Sequence, residues 1–203
     1  MKLFLIRHGR TASNELDLVT GSPFASLSET GRTELEASAP GIRSMMGHRP
    51  NRFVVSSLSR AKETAQILFP DKAWEVDARL AETDAGQAAE LSNTEFVELY
   101  GQRRPDFSVP YPGGESHQNL KNRVLRWFDE LAGCTAECMV VVTHAGPINI
   151  LLHHLLGVPY PDFPNFQIEN MSVTKLHFSS DLQLLNHEIG CFSKYQHKLK
   201  ISR

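Results

Sequence analysis

Apolar residues in this chain fall into short unbroken runs separated by amphipathic stretches. Leu3-Phe4-Leu5-Ile6 is the first run and is closed by Arg7, His8 and Gly9. Phe53-Val54-Val55 and residues 139–142 are two more. Runs of this kind, bounded by turn residues, read as strands buried on both faces of a parallel sheet. The pattern therefore predicts strands over 2–7, 53–55 and 139–142, with a short one at 74–76. Between the runs the apolar period lengthens to that of a helix. Ser28 caps a helix beginning near Glu29, with Leu35 and Ile42 inward, and Pro40 is expected to end or kink it. Leu58, Ala61, Ala65 and Leu68 mark the inward side of a helix behind Ser56-Ser57. Leu120, Val124, Trp127, Phe128 and Leu131 mark another that starts near Glu115. Ile148, Leu151, Leu152, Leu155 and Leu156 mark the next. Residues 172–178 and 182–189 read as a closing β-hairpin around Ser180-Asp181, and the basic tail from Ser193 is expected to fray.

This alternation predicts an α/β fold: a three-layer αβα sandwich with a mostly parallel central sheet and helices on both faces. The length fits a single domain over residues 1–203. Residues 83–114 interrupt the alternation and end in a stretch rich in proline and glycine, the composition of a lid or specificity segment.

Composition narrows the function classes. The chain is 41% hydrophobic and 22% charged, which argues against disorder. A net charge of −2 gives no global field toward nucleic acid or membrane, so anion binding has to come from a local cluster. Cys134, Cys138 and Cys191 are too few and too irregularly placed for a disulfide framework, and no histidine stands at zinc-finger spacing from the first two. The N-terminal apolar run is too short for a signal peptide, and no apolar stretch reaches the ~18 residues needed to span a bilayer. The expectation is a cytoplasmic protein, monomer or homodimer, with no cofactor, no metal, and neither nucleic acid nor membrane as partner.

Three strand ends carry chemistry. Arg7-His8-Gly9, Ser56-Ser57 with Arg60 close behind, and Thr143-His144-Ala145-Gly146 each follow a buried run. Parallel strands bring such ends to one sheet edge, where open α/β sheets bind ligands. Arginines bind phosphoryl oxygens in bidentate fashion, imidazoles attack phosphorus or donate to its oxygens, and glycine admits close backbone approach. His153-His154 lies in a leucine-rich helix. Neighbouring positions there point ~100° apart and do not share a ligand, so the pair reads as partly exposed helix histidines.

These residues also carry a resemblance. Leu5-Ile6-Arg7-His8-Gly9 with Thr11 and Asn14 resembles the R-H-G-x-T-x-x-N signature of the histidine phosphatase superfamily, the phosphoglycerate mutase-like proteins. Residues 21–31, with Leu27 and Ser28, resemble its G-x-x-D-x-P-L-[TS]-x-x-G segment. Ser56-Ser57-Leu58-Ser59-Arg60-Ala61 with Thr64-Ala65 resembles S-x-L-x-R-A-x-x-T-A, and Arg79-Leu80-Ala81-Glu82 with Gly86 resembles R-L-x-E-x-x-x-G. Pro112-Gly113-Gly114-Glu115-Ser116 and Val142-Thr143-His144-Ala145-Gly146 resemble the last two blocks. All six stand in family order.

The resemblance implies a metal-independent phosphatase of small phosphorylated metabolites that works through phosphohistidine. His8 is then the nucleophile, with Gly9 and a nearby hydroxyl such as Ser56 holding its other ring nitrogen. Arg7, Arg60, Asn14 and His144 clamp the phosphoryl group, Glu82 is the general acid and base, and Gly21, Ser56 and Ala145 lie around the substrate. Glu115 stands at a helix entry near the site. The chain departs from the family pattern at Arg10 (usually Glu or Gln), Phe24 (Asp), Ser26 (Pro), Ala88-Ala89-Glu90 (W-E-G) and Ala145 (Gly). Arg10, Thr20, Phe24, Arg103 and Arg104 are accordingly the candidates for specificity. α-Ribazole phosphate, sugar phosphates and bisphosphates, and phosphoserine remain open as substrates. The rival readings are a phosphoglycerate-type mutase and a silent phosphate-binding protein on the same fold. A doubly wound nucleotide-binding enzyme lacks its glycine spacing and P-loop lysine here.

Overall fold

The computed structural model describes residues 1–47, 50–100, 106–160 and 163–191. Arg103, Arg104 and the tail from Ser193 lie outside the described residues. In chain order the elements are β1 (Lys2–Arg7), α1 (Ala12–Glu15), α2 (Glu29–Ser44), β2 (Arg52–Ser56), α3 (Ser59–Leu68), β3 (Glu75–Asp77), α4 (Asn93–Tyr100), α5 (His117–Asp129), β4 (Cys138–Thr143), α6 (Ala145–Leu156), β5 (Val173–Phe178) and β6 (Leu184–Glu188).

The strands form one sheet in the order β3-β2-β4-β1-β5-β6. β3, β2, β4 and β1 are mutually parallel; on the β1 side, β5 runs antiparallel to β1 and β6 antiparallel to β5. β4 is central and buried at every position, as its continuous apolar run requires. Strand alternation sorts the run into two cores. Leu3, Leu5, Val54, Met139 and Val141 pack with Leu120, Trp127 and Phe128 of α5 and Ile148 and Leu152 of α6. Phe4, Ile6, Phe53, Val55, Val140 and Val142 pack with Leu35 and Ile42 of α2 and Ala61, Ala65 and Leu68 of α3. Each such side chain contributes about 1.5–3 kcal/mol of burial, so a one-residue slip of a central strand exchanges both faces at large cost. The register pairs Arg7 with Thr143 and Val55 with Val142, which sets the carboxyl ends of β1, β2 and β4 level.

The elements depart from the sequence expectations at five places. α2 runs through Pro40 to Ser44 rather than ending there. Pro40 and Glu36 are both exposed, so the Glu36 carbonyl that loses its amide partner faces water. α3 begins at Ser59, leaving Leu58 as its half-buried cap position. The helix expected from Glu115 begins at His117, capped by the Ser116 hydroxyl. Residues 83–114 contain α4, which buries no side chain. Its start is a reciprocal cap, with the Glu95 carboxylate accepting from the Ser92 amide at 2.8 Å and the Ser92 hydroxyl accepting from the Glu95 amide at 3.2 Å. That S-x-x-E signal stands in the sequence, but the apolar positions of α4 form no clear stripe behind it. The closing hairpin is present, with β6 shorter than the 182–189 expected.

Pro40→Ala restores an amide donor inside α2 on its solvent face. It should stabilise the fold by about 1 kcal/mol, part of the full helix-interior cost of proline, read as a higher urea midpoint at unchanged slope.

Candidate active site

The level strand ends place the charged and nucleophilic residues together. Arg7 is the last residue of β1, and His8 follows it with its amide on the Thr143 carbonyl at 3.0 Å. The Gly9 amide donates to Thr64 Oγ1 of α3 at 3.0 Å, which ties this turn to the helix that carries Arg60. Asn170, just before β5, donates to the His8 carbonyl at 3.0 Å, the Gly9 carbonyl at 3.3 Å and Asn14 Oδ1 at 3.2 Å. The His8 loop is therefore held from three directions.

The hydrogen bonds of His8 define its tautomer. Nδ1 lies 2.6 Å from the Gly9 carbonyl, which can only accept. Arg60 Nε, which can only donate, lies 3.2 Å from Nε2. The proton therefore sits on Nδ1 and the lone pair on Nε2. Burial, followed by the nearby Arg60 and Arg7 charges, holds the His8 pKa well below the ordinary imidazole value. His144 is lowered in the same way, first by burial and then by His8, Arg60 and Arg7. The two rings stand 4.9 Å apart, both essentially removed from solvent.

Buried donors are left over. Arg7 Nε, Arg60 Nη2 and His144 Nδ1 have no hydrogen-bond partner among the described residues. Arg7 spends Nη1 on the Ile168 carbonyl, and Arg60 spends Nη1 on the Ser22 carbonyl at 2.8 Å. Burial pushes both guanidinium pKa values down, against the opposing pull of Glu82, but guanidinium stays charged in proteins. An unpaired buried donor costs about 1–3 kcal/mol, and more when charged. An oxyanion is the group that would satisfy such a set.

Glu82 enters from the loop after β3, which is tied to β4 by Thr143 Oγ1 donating to the Leu80 carbonyl at 2.6 Å. Its Oε1 accepts from the Thr83 amide at 2.9 Å and its Oε2 from the Gly146 amide at 3.1 Å. Gly146 lies in the first turn of α6, where the helix dipole favours a carboxylate. A Cβ at position 146 would overlap Glu82 Oε1, so this approach requires glycine. Arg123 of α5 fixes the backbone of the same loop. It donates to the carbonyls of Arg79 and Ala81 at 2.7 Å and of Glu82 at 3.0 Å, and it is anchored by a bidentate pair with Glu115 at 2.7 and 2.8 Å.

A cavity of about 600 Å³ opens beside this cluster, with Arg7, Glu82, Thr20, Ala145 and Gly146 among its lining. His8, Arg60 and His144 are buried and are not among its lining residues.

Several expected site residues take other places. Ser56 does not hold His8: its hydroxyl lies 2.7 Å from His144 Nε2 and accepts from the Leu58 amide at 3.3 Å. The Gly9 carbonyl alone takes the His8 Nδ1 proton, because β2 ends opposite β4 rather than beside β1. Asn14 Oδ1 accepts from the Thr11 amide at 3.1 Å in a reciprocal cap of α1, so only its NH2 is left to donate elsewhere. Gly21 has a positive φ and sits where any Cβ would collide with Ala85, a packing role rather than a contact with the cavity. Phe24 is 87% exposed, and neither it nor Arg10 lines the cavity. His153 is a buried histidine rather than a partly exposed one. Its Nδ1 faces the carbonyls of Val158 and Pro159 at 3.2 and 3.1 Å, and its Nε2 accepts from the Asn165 amide at 3.3 Å. His154 is exposed as expected. Sequence reasoning missed Asn170 and Arg123. Asn170 has no local signal; Arg123 is half-buried at the border of the apolar stripe of α5, three residues after Leu120 and four before Trp127, and that flanking position was the signal available.

The family model described as "Histidine phosphatase superfamily (branch 1)" matches residues 3–187. A probable phosphatase of Schizosaccharomyces pombe is 28% identical over 197 residues, covering 94% of this chain and 90% of its own. An adenosylcobalamin/alpha-ribazole phosphatase of Salmonella typhi is 28% identical, covering 83% of this chain and 86% of its own. Phosphoglycerate mutases match as well. A mycobacterial glucosyl-3-phosphoglycerate phosphatase, solved in complex with VO3, superposes with a TM-score of 0.80 at 29% identity, covering 95% of this chain and 99% of that one. Among the described residues no helix is long and apolar enough to cross a membrane.

Two buried neutral histidines have a consequence for stability. As pH falls through the ordinary imidazole value of 6.5, the unfolded chain takes up protons that the native state refuses. Native stability should drop by up to about 1 kcal/mol per histidine between about pH 7.5 and about pH 5.5. Urea midpoints across that range check this, and His8→Gln should flatten the profile.

Proposed function

This chain belongs to the histidine phosphatase superfamily (branch 1), and we propose that it hydrolyses phosphate monoesters of small metabolites through a phosphohistidine on His8. The observation that carries the proposal is the convergence of Arg7 Nε, Arg60 Nη2 and His144 Nδ1, all buried and unpartnered, around an imidazole whose Nε2 holds the lone pair. A mycobacterial neighbour on this fold was solved in complex with VO3, an oxyanion, which supports a reading in which the chain binds one.

In this reading the substrate's phosphoryl oxygens take the spare N–H groups of Arg7 and Arg60 and the Nδ1–H of His144. The Ser56 hydroxyl donates to His144 Nε2 in the tautomer that puts the proton on Nδ1. Arg60 moves its Nε donor to the anion and frees the His8 lone pair. Nε2 attacks phosphorus, the P–O bond to the alcohol breaks, and Glu82 hands a proton to the departing oxygen. The Gly9 carbonyl stabilises the positive charge that the ring acquires, through the Nδ1 proton. A water then enters from the cavity and gives its proton to Glu82 as it attacks phosphorus. The P–N bond breaks and its electron pair returns to Nε2. The two arginines supply the charge that a metal supplies elsewhere, so the reading includes metal independence. It also makes residues 83–114 the specificity segment of a single domain acting on cytoplasmic metabolites.

A phosphomonoester panel with EDTA present tests the mechanism. His8→Ala should lose at least ~10³-fold in kcat, and full activity in that variant would overturn the reading. Glu82→Gln should lose ~10²–10⁴-fold on alkyl esters and much less on esters with good leaving groups. Acid-labile, base-stable phosphate should form on the wild type, and loss of activity on chelation would bring a metal back.

Gly146→Ala provides a separate check through geometry. Its methyl displaces Glu82 while leaving His8 and both arginines untouched. We expect kcat on alkyl esters to fall by ~10²-fold or more, with phosphoenzyme formation from activated esters retained.

A further inference from the structure

The cavity beside the phosphate-binding cluster has a second end whose chemistry is distinct. Five ring side chains line it: Phe96 of α4, Tyr111, His117 of α5, Phe163 and Phe166. They come from four chain segments, and Phe96, Tyr111, His117 and Phe163 touch in series. Phe96 stands 6.4 Å from Tyr111, Tyr111 meets His117 edge-on at 5.7 Å, and His117 lies 4.9 Å from Phe163. Rings in such contact form one continuous apolar wall.

The wall is held in place from behind. Asn149 of α6 accepts from the Phe166 amide at 2.9 Å and donates to the Phe166 carbonyl at 3.0 Å. The buried His153 ring binds the carbonyls of Val158 and Pro159 and the Asn165 amide. It also packs 5.6 Å from Phe163 and edge-on to Phe166 at 5.5 Å. This accounts for a histidine that the catalytic cluster does not use. A wall fixed in this way loses little entropy when a ligand stacks on it.

Charge limits the occupant as well. Arg7 supplies the cation at the phosphate end, and the other charged lining residues among those described are the acids Glu82 and Asp17. The Asp17 carboxylate accepts from Asn93 Nδ2 of α4 at 3.1 Å, on the same helix as Phe96. Among the described lining residues, a second phosphate or a carboxylate on the substrate would meet Asp17 and neither lysine nor a second arginine. A cavity of about 600 Å³ is also large for a three-carbon acid and suits a ring-bearing body.

We infer that the ester's alcohol is an uncharged body carrying an aromatic or heteroaromatic ring, which stacks on the wall of Phe96, Tyr111, His117, Phe163 and Phe166. The inference rests on the phosphatase reading above and names the substrate class of that site.

The test compares kcat/KM for adenosine 5′-monophosphate and riboflavin 5′-phosphate with ribose 5-phosphate, 3-phosphoglycerate and fructose 1,6-bisphosphate. Every one of these esters releases a primary alcohol, so differences report binding rather than leaving-group strength. The ring esters should lead by about tenfold or more, mainly through KM. Phe96→Ala, on a surface helix whose loss of one ring leaves the core intact, should shrink that lead to less than about threefold by raising KM for the ring esters alone. Phe163→Leu, checked for an unchanged melting temperature, should act in the same direction. Preference for 3-phosphoglycerate or the bisphosphate, or a flat panel, overturns the inference. Exchange of 18O between inorganic phosphate and water distinguishes the two levels, because it needs the phosphohistidine but no alcohol. Exchange that is present in the wild type and lost in His8→Ala, together with a flat panel, sinks the ring inference alone. Exchange that is absent in the wild type sinks the phosphatase reading beneath it.

Discussion

Burial of like-charged and basic groups at one sheet edge is the constraint on which the site depends. Two guanidinium groups and two imidazoles are packed into a small volume removed from water. Guanidinium cannot give up its proton there, so the imidazoles do. Neutral histidines thus follow first from burial and then from the arginine charges beside them, and an available lone pair follows from neutrality. The level ends of β1, β2 and β4 make this crowding possible. Two fully apolar cores on either face of the sheet hold those ends in register against the repulsion.

The acidic side of the site is built by different means. Glu82 sits on a loop, yet it is positioned by rigid elements. α6 offers it a backbone amide at a helix start, and the absence of a side chain at Gly146 makes room. Arg123 spends its donors on three loop carbonyls and on Glu115, so α5 carries the loop with it. Gly114 lies under the same loop, where a Cβ would overlap the Asp84 carbonyl. Close backbone approach and one multivalent arginine therefore do the work that a strand end does for His8.

Much of this was legible in the sequence. The apolar runs located the central strands because burial on both faces leaves no polar position in them, and the residues after each run marked the sheet edge. The His8, Arg60, His144 and Glu82 cluster follows from those positions together with the family resemblance. Other features needed coordinates. Which ring nitrogen Ser56 reaches depends on strand order, which local patterns do not encode. The exposed Pro40 is tolerated because its orphaned carbonyl faces solvent, a fact about orientation rather than sequence. Asn170 is a single polar residue before a strand, and only tertiary contact reveals that it clamps the His8 loop. The ring wall is drawn from distant segments with no shared pattern, so periodicity could not assemble it.

The contact between Arg60 Nε and His8 Nε2 has a final consequence. The electron pair that would make the attack is the one that the arginine already occupies. A neutral electrophile that drifts into the cavity finds it engaged. An anion differs because it competes for the same N–H and draws the guanidinium to itself. Arrival of the proper charge and exposure of the nucleophile are then one event. On the proposed mechanism, the resting protein keeps its reactive atom masked, and the cargo's own charge removes the mask.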